Sequence, residues 1–123
     1  MSNDMTASRP KETVIIWFLK IITGLLVIFL LFIHFVVNHY LAPSGLLTYT
    51  DVVQYYRNPV VPIMEGIFLA VVVSHSLIGL RGIILDLHPS KNLMRSVDWL
   101  LGLIGVAAVF YGLWLLRTIA AKG

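Results

Sequence analysis

Three apolar segments, each long enough to cross a lipid bilayer as a helix, dominate this 123-residue chain. They cover about residues 14–40, 60–87 and 97–118, and about 20 apolar residues suffice for a helix to span the hydrocarbon core. Charged residues make up 12% of the chain, about half of the fraction that is usual in soluble domains. The sequence therefore predicts an all-α membrane protein in which residues 1–123 form a single transmembrane domain with three transmembrane helices.

Lysine and arginine residues divide unequally between the two ends of these segments. Six fall on the side of the N-terminus: Arg9, Lys11, Lys20, Arg81, Lys91 and Arg95. Three fall on the other side: Arg57, Arg117 and Lys122. Because cytoplasmic loops of membrane proteins are enriched in lysine and arginine, this division favours a cytoplasmic N-terminus.

The connector between the first two spans, Ala42–Pro59, is polar and rich in turn-forming residues. Within it we expect a short helix at the membrane interface over Thr50–Tyr56. Glu65 lies about five residues into the second span, and we interpret it as an interfacial glutamate, with a place on a proton path as the alternative. Three glycines in the third span would let a neighbouring helix approach closely: Gly102, Gly105 and Gly112.

The second span contains a histidine, two glycines and an acid that share one face of a helix. His75, Gly79, Gly82 and Asp86 follow one another at intervals of three or four residues, so they form a stripe at 3.6 residues per turn. A histidine inside hydrocarbon is costly and is expected to have a function and a partner. An imidazole beside two positions without side chains predicts a flat cofactor packed closely against Gly79 and Gly82.

Four histidines occur in the chain, at positions 34, 39, 75 and 88. His75 and His34 each lie well inside an apolar segment, so each is a candidate ligand, with a hydrogen-bonded structural histidine as the alternative. We expect His39 to reach the interface and His88 to be a solvated loop residue. Zinc is disfavoured because no second soft ligand lies at a useful spacing, whereas haem requires only one imidazole from each facing helix.

Depth in the membrane separates the two candidate ligands. At about 1.5 Å per residue, His34 lies roughly 9 Å and His75 roughly 22 Å from the same surface. A difference of about 13 Å in depth makes them poor partners for one iron. The spacing instead predicts two haems, each completed by a histidine from another chain.

The pattern His75-x-x-x-Gly79-x-Arg81-x-x-x-x-Asp86 resembles the second helix of the membrane-anchor cytochrome b subunits of succinate dehydrogenase (succinate:quinone oxidoreductase, respiratory complex II). The resemblance implies that His75 is an axial ligand of haem b. It implies that Asp86 lies near the quinone site, close to the iron–sulfur subunit. It also implies that Arg81 belongs to a polar cluster near haem propionate and quinone, with a contact to lipid headgroups as the alternative.

A second segment, Lys20-Ile21-Ile22-Thr23-Gly24, is similar to the first helix of the same family. By this resemblance Lys20 lies in the vicinity of haem propionate or quinone. Members that hold two haems carry a further ligand on the first helix, which His34 would supply. The family's arginine is replaced by Ile21, and Leu87 stands where some members have a tyrosine. These differences favour a second anchor chain as the source of the principal quinone contacts.

The resemblance implies a haem b-binding anchor in the cytoplasmic (inner) membrane of a prokaryote, with one or two haems shared with a second anchor subunit. This chain would dock the flavoprotein and iron–sulfur subunits, contact membrane lipid and help to transfer electrons to quinone. It has no cysteine and no dinucleotide fingerprint, so we expect no succinate-oxidising site of its own. The net charge is only +3, and no basic stripe with interleaved aromatic residues indicates nucleic acid.

Three alternative functions remain open at this point. One is the equivalent anchor of a fumarate reductase. Another is a cytochrome b that holds both haems in one chain, which is disfavoured because the third span has no histidine. The last is a haem-free structural or assembly subunit, which predicts that His75→Ala is tolerated.

Overall fold

The computed structural model describes residues 10–40 and 45–123. Its elements are α1 (Val14–Phe35), a π-helical segment that directly continues it (Val36–Tyr40), α2 (Tyr49–Tyr55), α3 (Val60–Asp86) and α4 (Lys91–Ala120). The described residues form no strand, and three helices are long and apolar enough to cross a membrane. The predicted all-α membrane fold with three transmembrane helices is confirmed.

Polar residues define where the helices begin. Thr13 and Ser90 cap α1 and α4, because their hydroxyl groups accept hydrogen bonds from backbone amides in the first turn. Thr48 caps α2 and exchanges bonds with Asp51 in a capping box. The hydrogen bonds from the hydroxyl and amide of Thr48 lower the pKa of Asp51. The short helix predicted within the connector is confirmed to within one residue at each end.

The turn between α3 and α4 is tight. His88 adopts a left-handed conformation with φ of 56°, and Pro89 and Ser90 then lead into α4. The helix begins at Lys91, six residues before the apolar segment at about 97. The polar first turns therefore extend α4 beyond its hydrocarbon-spanning part, and Met94 within them is only 3% exposed.

Helix α3 lies in the middle, packed against α1 on one side and α4 on the other. Close approach to α4 depends on glycines. A Cβ atom at Gly105 would lie 2.6 Å from Cδ1 of Leu77, and one at Gly112 would collide with the side chain of Leu69. These two glycines have the predicted packing role. A Cβ atom at Gly102 would meet nothing within 4 Å among the described residues.

Most apolar side chains face outward, as expected where lipid or a partner helix covers them. Of the hydrophobic residues described, three are buried: Val61, Met94 and Leu101. Exposed apolar residues line α1 almost from end to end, and the outer face of α4 is similar. The three helices thus form a thin layer without a large interior of their own.

The antiparallel order of the helices gives the layer two distinct ends. The N-terminal end, as we call it, contains the start of α1, the end of α3 and the start of α4. The opposite end contains α2, where Nζ of Lys122 donates to the hydroxyl of Tyr49 at 3.3 Å. The basic residues within the described ranges divide between these ends as predicted; Arg9 and the connector residues 42–44 lie outside those ranges. The cytoplasmic location of the N-terminus stays a prediction.

Candidate functional site

The imidazole of His75 lies against α1, at Thr23. Its Nδ1 atom is 3.1 Å from Oγ1 of Thr23, while the Thr23 hydroxyl lies 2.7 Å from the carbonyl oxygen of Leu19. A hydroxyl has a single proton to donate, and the shorter contact to Leu19 takes it. Thr23 must therefore accept from His75, which places the imidazole proton on Nδ1 and leaves the Nε2 lone pair available.

Two glycines lie near the His75 ring, Gly24 on the facing helix α1 and Gly79 on α3 itself. A Cβ atom added at Gly24 of α1 would lie 3.2 Å from Cε1 of His75, so the ring packs directly on the α1 backbone. One turn further along α3, a Cβ atom at Gly79 would meet nothing within 4 Å. The ring is thus fixed on its α1 side, while the helix face beyond it leaves room for another molecule.

A cavity of about 410 Å³ opens at the N-terminal end of the layer. Its lining includes Lys20, Gly79, Gly82 and Asp86, so most of the predicted stripe and the predicted lysine meet at one place. A Cβ atom at Gly82 would lie 3.6 Å from Nζ of Lys20. Nζ also forms an ion pair with Glu12 at 2.8 Å, a partner that no sequence pattern indicated.

His34 lies near the other end of α1 and pairs with Glu65 of α3. Its Nδ1 atom is 3.0 Å from Oε1 and 3.2 Å from Oε2 of Glu65. The Glu65 side chain is only 12% exposed, so it packs between helices and pairs with His34, while its location at the membrane interface stays a prediction. The signal for its role is its position, since a carboxylate this far inside an apolar helix needs a partner.

Asn38 and Phe68 also contact His34. Asn38, in the π segment, donates from Nδ2 to the His34 carbonyl oxygen at 2.7 Å. The ring of Phe68 lies 5.1 Å from the imidazole, centroid to centroid. At the nearby α2, burial raises the pKa of Tyr56 to about 12, with a further contribution from the negative charge of Glu65.

The hydroxyl of Tyr55 is buried and has no hydrogen-bond partner in the described part of the chain. Burial, followed by the charge of Glu65, also raises the pKa of Tyr55. Glu65 therefore lies within a polar group that joins α1, α2 and α3 at the opposite end of the layer.

The two imidazoles are far apart along the bundle. His75 lies level with Thr23 of α1, eleven residues before His34. At 1.5 Å per residue, this corresponds to roughly 16 Å along the helix axis, against the 13 Å expected from the sequence. The structure therefore does not bring His34 and His75 together at one iron.

The donor set fits haem better than a metal ion held by the chain alone. Within residues 10–40 and 45–123, no three His, Cys, Asp or Glu side chains are grouped so as to hold a metal ion. A haem iron needs a single imidazole on each side. Ligating histidines usually donate their other ring N–H to a protein acceptor, which is the arrangement that Thr23 provides for His75.

Comparisons with known proteins identify the family of the chain. The profile of the family described as "Succinate dehydrogenase/Fumarate reductase transmembrane subunit" matches residues 1–115. The chain belongs to this family. A curated relative from Archaeoglobus fulgidus, named succinate dehydrogenase hydrophobic membrane anchor subunit, is 33% identical over 116 residues, which cover 94% of this chain and 98% of the relative. No solved structure matches the chain significantly.

The family resemblance carried by the His75–Asp86 stretch is thus confirmed, and the chain is an integral membrane protein.

One predicted site residue of this transmembrane subunit, Arg81, lies on a different side of α3 from the cavity. Arg81 faces α4, where its Nε donates to Oδ1 of Asp98 at 2.7 Å and its Nη2 to Oδ2 at 3.3 Å. It does not line the cavity that contains Lys20 and Asp86. Sequence reasoning missed Asp98.

The remaining two histidines differ from His34 and His75. His39 is exposed, and its Nδ1 lies 3.3 Å from the carbonyl oxygen of Gly45. His88 is exposed in the turn after α3 and contributes to the edge of the cavity. His34 and His75 are half-buried between helices, whereas His39 and His88 are exposed, as predicted for these two.

Proposed function

We propose that this chain is a haem b-binding anchor of a succinate dehydrogenase and that it helps to pass electrons to membrane quinone. Its partners would be a flavoprotein subunit, an iron–sulfur subunit and a second membrane anchor. Family membership and the name of the archaeal relative support the complex. The observation that carries the haem assignment is the hydrogen bond between His75 and Thr23, because it leaves Nε2 free to bind iron.

His75 acts in this proposal as an axial ligand from α3. Thr23 fixes the proton on Nδ1, Gly24 lets the ring lie against α1, and Gly79 provides an open face beside it. When bound, haem would accept and release single electrons. In this proposal the haem would pack closely against α3 at Gly79 and Gly82, which have no side chains.

The cavity at the N-terminal end is the proposed vicinity of haem propionate or quinone. Lys20 would supply a positive charge and Asp86 a group at the membrane edge that can carry a proton. Arg81 lies outside this cavity, on the α4 side of α3. Its Nη1 atom is buried and has no hydrogen-bond partner among the residues that the structure describes, so its two N–H groups would be available to a propionate or quinone oxygen.

His34 is the proposed ligand of a second haem. The axial distance of roughly 16 Å from His75 fits two separate haems, and each would be completed by a histidine of the second anchor chain. Glu65 would accept the hydrogen bond from Nδ1 of His34, as Thr23 accepts the one from Nδ1 of His75.

Polar residues at the N-terminal end are proposed to dock the other subunits. Beyond Asp86 the candidates lie in the turn and the first turns of α4: His88, Lys91 and Arg95. With a cytoplasmic N-terminus, they would face the iron–sulfur and flavoprotein subunits in the cytoplasm of a prokaryote. This chain would contribute no succinate-oxidising site of its own. An anchor of a fumarate reductase would use the same surface, and the family description includes both enzymes.

A haem-free structural subunit is the second candidate. The observation that favours it is that both interior histidines already have partners within the chain, Thr23 and Glu65. This reading predicts that replacing either histidine weakens the packing of α1 on α3 and leaves the optical and EPR spectra of the complex unchanged.

Optical and EPR spectra of the purified complex distinguish the two candidates. We expect His75→Ala and His34→Ala each to abolish one low-spin haem signal. His39→Ala is the matched control, because this exposed histidine packs on Phe35 and lies near the Gly45 carbonyl oxygen, and it should leave both signals intact. A colourless wild-type complex, or full haem content in both variants, would refute the haem assignment.

A further inference from the structure

We infer that Glu65 is the positioning residue of His34: it holds the imidazole with its proton on Nδ1 and makes Nε2 a stronger electron donor toward a haem iron. This inference rests on the proposed function, since it takes His34 as a ligand. It gives a role to a largely buried carboxylate that neither the sequence pattern nor the family comparison assigns.

The geometry around Nδ1 is the first argument. Both carboxylate oxygens of Glu65 approach this one nitrogen, at 3.0 and 3.2 Å. An ionised carboxylate only accepts hydrogen bonds, so Nδ1 must carry the proton. Asn38 Nδ2 is also 3.2 Å from Nδ1, but one of its protons is already directed at the His34 carbonyl oxygen, at 2.7 Å. A charge-assisted bond to the carboxylate is the stronger of the two competing contacts.

The rigidity of the pair is the second argument. Glu65 is 12% exposed, whereas the His34 side chain is 36% exposed. The carboxylate is therefore held inside the layer while part of the imidazole remains accessible from outside the chain. Phe68 packs beside the ring, and the π segment starts two residues after His34. Such π-helical insertions occur frequently at functional sites.

The contrast with His75 is the third argument. Thr23 offers His75 a neutral hydroxyl oxygen, while Glu65 offers His34 a negative charge. A carboxylate that accepts from a ligating histidine raises the basicity of that ligand, and a more basic ligand favours the oxidised iron. The chain thus makes its two ligand positions unequal, with His34 belonging to the haem that is harder to reduce.

The test is a potentiometric titration of the whole purified complex, followed by optical and EPR spectra. His34→Ala first identifies the haem signal that depends on this residue. We then expect Glu65→Gln to keep that haem, because the amide oxygen still accepts from Nδ1, but to shift its midpoint potential to a more positive value. Glu65→Leu removes the acceptor and should also lower the occupancy of this haem. The His75-dependent signal should not move in either variant.

Asp51→Asn is the matched control. It removes a carboxylate at the same end of the layer, but Asp51 bonds to Thr48 and not to a histidine, so neither potential should change. If His34→Ala removes a signal and Glu65→Gln leaves its potential unchanged, the inference is wrong and the proposed function stands. If the wild-type complex contains no haem, or His34→Ala loses none, the ligand assignment is wrong and the inference falls with it.

Discussion

Thr23 of α1 lies against His75 of α3, with Oγ1 3.1 Å from Nδ1 and its own hydroxyl directed at Leu19. A single side chain thereby satisfies its helix backbone and sets the tautomer of a histidine on another helix. In the neutral ring the single N–H proton is then on Nδ1, and the lone pair of Nε2 is free. The proposed ligation of haem by His75 depends on this arrangement.

Thr23→Val tests that dependence. Valine has nearly the same shape but cannot accept from Nδ1, so the His75 ring should lose its fixed tautomer. We expect a changed low-spin EPR signal for the His75 haem only. Loss of the hydrogen bond should lower the stability of the complex by about 1 kcal/mol, which thermal unfolding in detergent will measure.

Thr118→Val is the control for this substitution. The Thr118 hydroxyl makes the same type of bond, to the carbonyl oxygen of Trp114 at 2.8 Å, but contacts no histidine. An identical effect of both variants on the haem signal would show that the change acts on general stability and not on His75.

The pairing of α3 with α4 could have been predicted from the sequence, whereas that of α1 with α3 could not. The turn at 87–90 is short, so residues equally distant from it face each other across the two helices. Arg81 and Asp98 are such a pair, and so are Gly66 and Leu113. Counting outward from the bond between Pro89 and Ser90 would therefore have found Asp98 as the partner of Arg81.

The register of α1 against α3 follows no such rule. A long connector with its own helix α2 separates them, and its path fixes which residues meet. The sequence located His34 and His75 at different depths, because 1.5 Å per residue suffices for that estimate. It could not assign Glu65 to His34 or Thr23 to His75, since a shift of one helical turn would have exchanged these partners for apolar neighbours.

Gly79→Ala tests whether a molecule lies against the open face of α3. The added Cβ atom meets nothing within 4 Å in the described chain, and alanine favours a helix over glycine by about 1 kcal/mol. Without a cofactor the variant should therefore be at least as stable as the wild type. With haem packed there, we expect lower haem content per complex, measured by the pyridine haemochrome spectrum.

Gly102→Ala is the corresponding control on α4, where a Cβ atom is equally free of contacts. It should raise stability without altering haem content. Full haem content in Gly79→Ala would show that no flat group lies against this position.

The ion pair between Arg81 and Asp98 should couple α3 to α4 only modestly. The Arg81 side chain is 19% exposed and that of Asp98 is 42% exposed, so solvent screens the pair. We expect a coupling energy of about 0.5–1 kcal/mol from a double-mutant cycle with Arg81→Met, Asp98→Asn and the double variant. Additive effects on unfolding would show that the pair contributes no coupling of its own.

The same variants separate two roles of Arg81. If this residue also reaches a propionate or quinone through Nη1, Arg81→Met should weaken quinone reduction more than Asp98→Asn does. Equal losses in the two variants would limit Arg81 to the contact with α4.

Tyr56 should make the stability of the folded chain fall at alkaline pH. Burial, and then the charge of Glu65, raises its pKa from 10.0 to about 12, so the folded state retains a proton that the unfolded state releases. The stabilising effect is complete below pH 10 and is lost as the pH rises towards 12. Tyrosinate absorbance should show a late-titrating group that Tyr56→Phe removes.

Glu65→Gln provides the internal check on the cause of this shift. Because the negative charge of Glu65 is a secondary contribution after burial, the variant should move the Tyr56 titration only part of the way back towards pH 10. Asp51→Asn should not move it, since that carboxylate is not among the causes of the shift. A Tyr56 titration that does not change in Glu65→Gln would mean that the carboxylate is too far from the phenol, or too well screened, to raise its pKa. The polar group around His34 would then end at Glu65 and would not extend to α2.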